Sequence, residues 1–360
     1  MASKRILHLS DRLSQRGGAD GYLLSLLDGL SGAGQLVVGV GRDDGTAIAP
    51  CPVEIVPGLD AAAREPVADA LDRLVATFHA DVVHVHNVMN PEALDWAAAR
   101  GAVMTVQDHR TFCPGRGKLT LDGRVCREAM SASTCASCFT DGAYAERIMG
   151  VTAERLTAVR RMQRLTVFTE YMKGELTGVG VDAHRIRVVP PFVDGLDYDA
   201  VPSGPPCVLF AGRLVAAKGV ADAVQAWRRS GVSLPLVAAG TGPERAALEA
   251  AGVEVLGWVS HAEMSGVYRR ARALILPSRW QEPFGIVGIE ALAMGVPVVA
   301  WESGGVTEWH PGEGLVRWGD VDALAVALAR AVDAKATPAI GFEREPSLQK
   351  LRDIYASLWV

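Results

Sequence analysis

The chain has 360 residues, 49% hydrophobic and 21% charged, an ordinary globular balance with material for two cores. A net charge of −5 and an isoelectric point near 5.9 offer no general field for nucleic acid. The opening MASKRILHLS lacks the apolar stretch of a signal peptide, and no run approaches the roughly 18 apolar residues of a membrane span. A soluble cytoplasmic protein is expected, with peripheral contact at the inner face of a membrane left open.

Short apolar runs alternate with helical patterns from the start. Residues 5–9 read as a strand, 16–21 (RGGADG) as a glycine-rich turn and 22–30 as a helix. Strands are expected at 36–40, 53–56, 81–86 (DVVHVH) and 102–106, with helices at 66–78 and 91–100. A cysteine-rich segment, 113–138, interrupts the pattern. A basic helix at 146–165, a strand at 165–169 and a helix at 170–177 follow it. Val188–Pro191 closes the first unit, and the polar, proline-rich stretch 197–206 reads as a linker. The second unit restarts with strands at 207–211, 235–239, 253–256, 273–277 and 298–300. Helices are expected at 219–230, 243–251, 263–272, from Phe284 onward, at 320–334 and at 348–359. Strand-then-helix alternation in both halves predicts an α/β protein: two doubly wound domains with parallel sheets, facing a cleft.

Candidate chemistry collects at the strand ends of the second half. The loop after 207–211 holds Arg213 and Lys218 just before a helix, a natural place for a diphosphate. The turn Gly240-Thr241-Gly242-Pro243 follows the next strand, without the full G-x-G-x-x-G fingerprint. SRWQEPFGIVGIEALAMGVPVVA then sets Glu282 and Glu290 on either side of a strand-to-helix corner, where ligands sit in open α/β sheets. Each feature alone also fits a solvated charge or a turn built for packing.

Together, in this order, GR-L-xxx-KG, GTGP, EPFGIVGIEALAMGVPVVA and SGG-VTE resemble the family 4 retaining glycosyltransferases of the GT-B fold. The Gly-Gly loop, DVVHVHN and a Cys-Pro loop in the first half agree. The resemblance implies two Rossmann-like domains around a central cleft: 1–195 on the acceptor side, with a helix at 347–360 packing back on it, and 205–340 binding the nucleotide sugar. It implies that Arg213 and Lys218 bind the donor diphosphate, and that Glu282 contacts the transferred sugar. Phe284, Gly285 and Ile286 reach sugar and phosphate, Glu290 grips the ribose, Gly242 lies in the donor-side turn, and Gly17 and Gly18 approach the phosphates. The donor would be a UDP- or GDP-sugar. The acceptor would be a glycan, a lipid-linked molecule or a small molecule. Relatives often carry a histidine where this chain has Gln107. If the strand continues, His109 shares its face and could take that histidine's place.

No Asp-x-Asp pair stands at a strand end to hold a metal against a diphosphate, so transfer without a metal cofactor is expected. Front-face substitution suits it better than a double displacement through Glu282. Cys113, Cys126, Cys135 and Cys138 are consistent with a structural Zn–S4 site, with free buried thiols, disulfides or a cluster as the other readings. Arg116 and Lys118 lie within that segment and could meet an anionic acceptor. Arg155, Arg160, Arg161 and Arg164 give the basic helix a face that is either solvated or could touch anionic lipid. His84 and His86 read as satisfied structural histidines or as acceptor-side residues. Two rival functions stay open: another GT-B activity such as a sugar-nucleotide epimerase, and a non-catalytic nucleotide-sugar binder.

Overall fold

The computed structural model describes residues 4–31, 35–337 and 341–358, and the chain divides into two compact units. The first runs to Pro191 and resumes at Arg344; the second is Phe192–Glu343.

The first unit holds β1 (Arg5–Leu13), α1 (Gly18–Leu30), β2 (Gln35–Asp43), β3 (Val53–Ile55), α2 (Ala68–Phe78), β4 (Val82–Val85), α3 (Pro91–Ala99) and β5 (Val103–Thr105). It continues with α4 (Ala132–Ala136), α5 (Gly142–Arg161), β6 (Arg164–Val167), α6 (Glu170–Gly178) and β7 (Ile186–Val188). The strands are all parallel, in the order β3-β2-β1-β4-β5-β6-β7. Alternate residues Leu7, Leu9, Val83, Val85, Met104, Leu165 and Val167 build an apolar core on one face. The residues between them, His8, Ser10, His84, His86, Thr105 and Thr166, belong to the other face by strand alternation and are also buried. That face therefore carries a polar seam.

The second unit holds β8 (Cys207–Ala211), α7 (Val220–Ser230), β9 (Leu236–Ala239), α8 (Arg245–Ala250), β10 (Glu254–Gly257), α9 (His261–Arg270) and β11 (Ala271–Leu276). Then come α10 (Ile286–Ala293), β12 (Val298–Trp301), α11 (Val306–Trp309), β13 (Leu315–Val316) and α12 (Val321–Ala331). Its parallel sheet runs β10-β9-β8-β11-β12-β13, over a core that includes Val208, Phe210, Ile275, Val299, Trp301 and Leu328. Local chemistry marks the helix ends. Asn90 caps α3 with Pro91 in its first turn, and Ser260 and Glu263 form a capping box on α9.

The final helix, α13 (Arg344–Ser357), belongs to the first unit. Ser347 Oγ donates to Pro190 O at 3.0 Å, and Leu348 presses on Gly29, where any added Cβ would lie 2.6 Å from it. The helix expected to reach residue 359 or 360 ends, within the described residues, at Ser357; 359 and 360 lie outside them. The stretch expected as a linker is strapped to the second unit instead. Asp197 N donates to Ser265 Oγ and Ser203 N to Gly266 O, both at 2.9 Å, so α9 satisfies its backbone.

Both sheets reverse strand order beside their first strand, between β1 and β4 and between β8 and β11. At such a switch point, loops leaving the carboxyl ends diverge and make room for a ligand. Among the described residues no helix is long and apolar enough to cross a membrane.

Candidate active site

In the second unit, the loops after β8 and β11 meet across the switch point. The β8 loop ends in a 3-10 turn, Ala216–Lys218, and Gly219 adopts a left-handed φ of 72°. Gly219 has to be glycine, because a Cβ there would sit 1.7 Å from Pro277 O on the β11 loop. This close approach brings Lys218 Nζ to 2.5 Å from Glu282 Oε1. Ser278 Oγ donates to the same oxygen at 2.5 Å, and Glu282 N donates to Ser303 Oγ at 3.2 Å. Glu282 is only 3% exposed. Burial alone would raise its pKa; the Lys218 ammonium and hydrogen bonds from Lys218, Ser278 and Trp280 outweigh that and hold it below the ordinary carboxylate value. The site thus keeps a buried, ionised carboxylate.

Trp280 is the platform for the cations. Lys218 Nζ lies 4.5 Å and Arg213 Cζ 5.6 Å from its ring centroid. Arg279 is committed elsewhere, in a bidentate pair with buried Asp222 at 2.5 and 2.6 Å. Gln281 Oε1 accepts from Gly304 N at 3.0 Å and ties this loop to the SGG turn.

Phe284, Gly285 and Ile286 form the corner into α10. Gly285 caps the helix at a φ of 92°, and Trp309 Nε1 donates to Phe284 O at 2.6 Å. Trp309 also packs on Gly288, where a Cβ would come 2.0 Å from its ring. Glu290, on α10, is half-buried; Tyr268 OH donates to Oε2 at 2.7 Å, and His261 Nδ1 stands 3.9 Å from Oε1. Burial first, and then Glu290, push the Tyr268 hydroxyl well above its usual pKa, so it stays a donor. Gly242 answers to packing: a Cβ there would meet Leu214 O at 2.2 Å, and one at Gly240 would meet Gly212 O at 1.8 Å. A hollow of about 740 Å³ elsewhere in this unit is lined by Pro206, Leu234 and Arg272, at the amino ends of the strands and away from this chemistry. Asp320 and Asp322 do form an Asp-x-Asp, but Asp320 caps α12 and Asp322 pairs with Arg229.

Sequence reasoning missed Trp280, Tyr268, His261 and Trp309. An aromatic between Arg279 and Glu282 was a usable local signal for Trp280. Tyr268 and His261 come from α9 and carry no local mark.

In the first unit, Gly17 and Gly18 are exposed where the loop after β1 enters α1, Gly17 as the N-cap and Gly18 as the first helical residue. Arg12 Nη2 and Asp20 Oδ2, 2.5 Å apart, brace that loop from below. His109 corrects the expected strand continuation. β5 ends at Thr105, and His109 lies in a 3-10 turn, 2% exposed, with Nε2 2.9 Å from Tyr171 OH. Gln107 is buried, and neither atom of its amide has a hydrogen-bond partner among the described residues.

The arginines of the basic helix have partners within the unit. Arg155 is buried and donates to Met89 O at 2.9 Å, Arg160 to Val179 O at 2.8 Å and Arg161 to Asp95 at 3.2 Å. Lys118 is likewise unavailable to an acceptor: it is 5% exposed and paired with Glu175 at 2.9 Å.

His84 and His86 are buried against His8, and the three offer donor atoms within 4.8 Å of one another. His8 Nδ1 and His86 Nε2 are hydrogen-bonded to each other at 2.9 Å. The His8 and His86 rings stack at 21°, and both nitrogens of His84 are engaged by Tyr355 OH and Thr105 Oγ1. Burial lowers the His8 pKa to about 3 and takes His84 and His86 well below their usual value. The four cysteines are free thiols lining one small cavity, with no three sulfurs as close as 4.8 Å.

Two parallel sheets with this strand order and interleaved helices are the GT-B fold, and solved structures agree along nearly the whole chain. Sucrose-phosphate synthase from Thermosynechococcus elongatus superposes with a TM-score of 0.71 at 19% identity, covering 99% of each chain. Anabaena HepE in complex with UDP-glucose superposes with a TM-score of 0.65 at 17% identity, covering 98% of this chain and 99% of that one. Residues 16–195 match the family described as Glycosyltransferase Family 4, and 205–334 match Glycosyl transferases group 1. The chain belongs to glycosyltransferase family 4. It is similar to glycogen synthase of Mycobacterium tuberculosis H37Rv, 29% identical over 244 residues, 63% of this chain and 53% of that protein. A D-inositol 3-phosphate glycosyltransferase of Segniliparus rotundus is 35% identical over 182 residues, 41% of this chain and 39% of that protein. The chain thus spans about half the length, or less, of these curated relatives.

Proposed function

We propose that the chain is a retaining glycosyltransferase that moves a sugar from a UDP- or GDP-sugar to an acceptor hydroxyl, with no metal in the transfer step. The observation that carries this is the Lys218–Glu282 pair at the β8/β11 switch point, with Arg213 and Lys218 over one indole. A departing nucleoside diphosphate gains negative charge in the transition state, and cations already held in place stabilise it without reorganising. Arg213 and Lys218 are given that role. Glu282, anchored and ionised, accepts hydroxyl hydrogen bonds from the sugar. Phe284, Gly285 and Ile286 offer backbone groups at a helix start, and Glu290 accepts from the ribose diol. A donor role for Gly17, Gly18 and Gly242 rests on family resemblance alone. His109, buried on Tyr171, is left out of the catalytic set.

Glu282 suits binding better than nucleophilic attack, since one of its oxygens already takes bonds from Lys218 and Ser278. In the front-face route the bond from the anomeric carbon to the phosphate oxygen breaks. The acceptor oxygen bonds that carbon from the same side, and its proton passes to the departing phosphate. Configuration is retained. UDP as the sugar's carrier has support from the UDP-glucose complex of a structural neighbour. We place the acceptor, a glycan, lipid-linked or small-molecule hydroxyl, on the first unit. The committed arginines of α5 give a membrane contact no support.

A thermal-shift panel of UDP, GDP, ADP and TDP with their common sugar conjugates tests the donor. One nucleotide sugar is expected to raise the melting temperature by mass action, with the shift reduced in Arg213→Ala and Glu290→Ala. An equal response to all of them, or a shift unchanged in both variants, would overturn the donor assignment.

A further inference from the structure

We propose that Cys113, Cys126, Cys135 and Cys138 hold one zinc ion as a ZnS4 centre, with Lys118 as the buried cation that offsets its charge. Three turns bring the cysteines together. Cys113 follows the 3-10 turn, its N–H donating to His109 O at 2.7 Å. A tight hairpin, closed by Thr120 N to Arg124 O at 2.8 Å, returns Cys126 over Lys118, where Cys126 N donates to Lys118 O at 2.7 Å. Cys135 lies in α4 and Cys138 just after it, with Cys138 N donating to Cys135 O at 3.0 Å. All four line one cavity of about 20 Å³, room for a single water-sized or ion-sized body. Gly115 keeps its backbone against two of them: a Cβ there would lie 3.9 Å from both Cys113 Sγ and Cys138 Sγ.

Two further features suit a metal staple. Segment 113–138 buries only Leu119 and Cys135 among its hydrophobic residues, too little apolar area to fix 26 residues without a staple. Lys118, in the lining of the same cavity, is 5% exposed and has a left-handed φ of 62°, strained for a side-chain-bearing residue. Its ammonium donates to Glu128 O at 2.6 Å and pairs with Glu175 on α6. A zinc ion with four thiolates carries a net charge of −2, which favours a buried cation beside it, and Lys118 is the cation in the lining. On binding, four thiols release four protons to solvent as four Zn–S bonds form. Bonds of about 2.3 Å draw the sulfurs closer than they stand as free thiols. Lys118 is a positioning residue here, linking the centre through Glu175 to α6.

Metal analysis of the full-length protein, purified without chelator, tests this directly. About one zinc per chain is expected, retained in Cys51→Ser and lost in Cys135→Ser and Cys138→Ser. Cobalt exchanged into the wild-type protein should give the sulfur-to-cobalt charge-transfer bands of a tetrahedral thiolate site, a readout that needs no variant to fold. Lys118→Met should bind zinc about 10- to 100-fold more weakly, while still reaching one per chain at saturation. Metal-free protein with all its thiols reactive, or protein with these cysteines in disulfides, would overturn the proposal. So would cobalt bound without sulfur charge transfer. None of these readouts depends on sugar transfer, so the two proposals stand or fall separately.

Discussion

Glu282 and Lys218 depend on each other. Lys218→Met would leave a carboxylate that is 3% exposed without its counter-ion, and breaking a buried pair in this way costs about 3–5 kcal/mol. Lys218→Met/Glu282→Gln should recover much of that stability, because no charge is left stranded. Neither protein should turn over well, since losing a fixed cation at a developing charge lowers kcat about 100- to 1000-fold. Urea unfolding with donor turnover separates the two effects; a double variant no more stable than Lys218→Met would show that the pair is not coupled. Because the Glu282 pKa is depressed in the fold, its contribution is fully present above the ordinary carboxylate pKa. It is lost only as pH falls through the lower folded value. Of this site, Arg213, Lys218, Glu282 and Glu290 were legible because their motifs are contiguous in sequence. Trp280 was half legible. Tyr268 and His261 were not, because an α9 residue reaches Glu290 only through tertiary packing.

Among the elements, the β1–β4–β5–β6 seam is the unusual one. His8, His84 and His86 sit neutral within it, and Tyr355 of α13 closes it over His84 at 2.6 Å. Burial holds all three pKa values below that of an exposed histidine, so below about pH 6.5 the unfolded chain takes up protons that the folded unit does not. Stability is therefore fully present above pH 6.5 and falls as pH drops, with the His8 share levelling off near 3. Denaturant unfolding at pH 7.5, 6 and 5 should show the first unit losing stability first. A flat profile over that range would mean the seam takes up protons without unfolding. Long elements were legible from period alone. The two-residue β13 and the four-residue α11 were not, since neither spans one period of a pattern. The face argument for His109 needed β5 to run four residues further than it does.

At the scale of the molecule, one topology is used twice. Each unit reverses its strand order beside its first strand, and the chain passes between the units after Pro191 and again after Glu343. Composition alone could not place the first crossing. The prolines of 197–206 looked like a linker, but backbone bonds to α9 hold the segment on the second unit. The cysteine-rich segment is the one large departure from the repeated plan, inserted between β5 and β6 where the second unit has only the short α11 between β12 and β13. The central claim, retaining transfer from a nucleotide sugar at Lys218 and Glu282, is tested most directly by proton NMR of the reaction on a panel of UDP- and GDP-sugars. Slow release of the nucleoside diphosphate is expected with one donor, water standing in for the acceptor, at the same rate with magnesium or EDTA. The first-formed sugar should keep the donor's anomeric configuration, and release should fall at least about 100-fold in Lys218→Met. An inverted anomer, an epimerised nucleotide sugar, or release unchanged in Lys218→Met would contradict it.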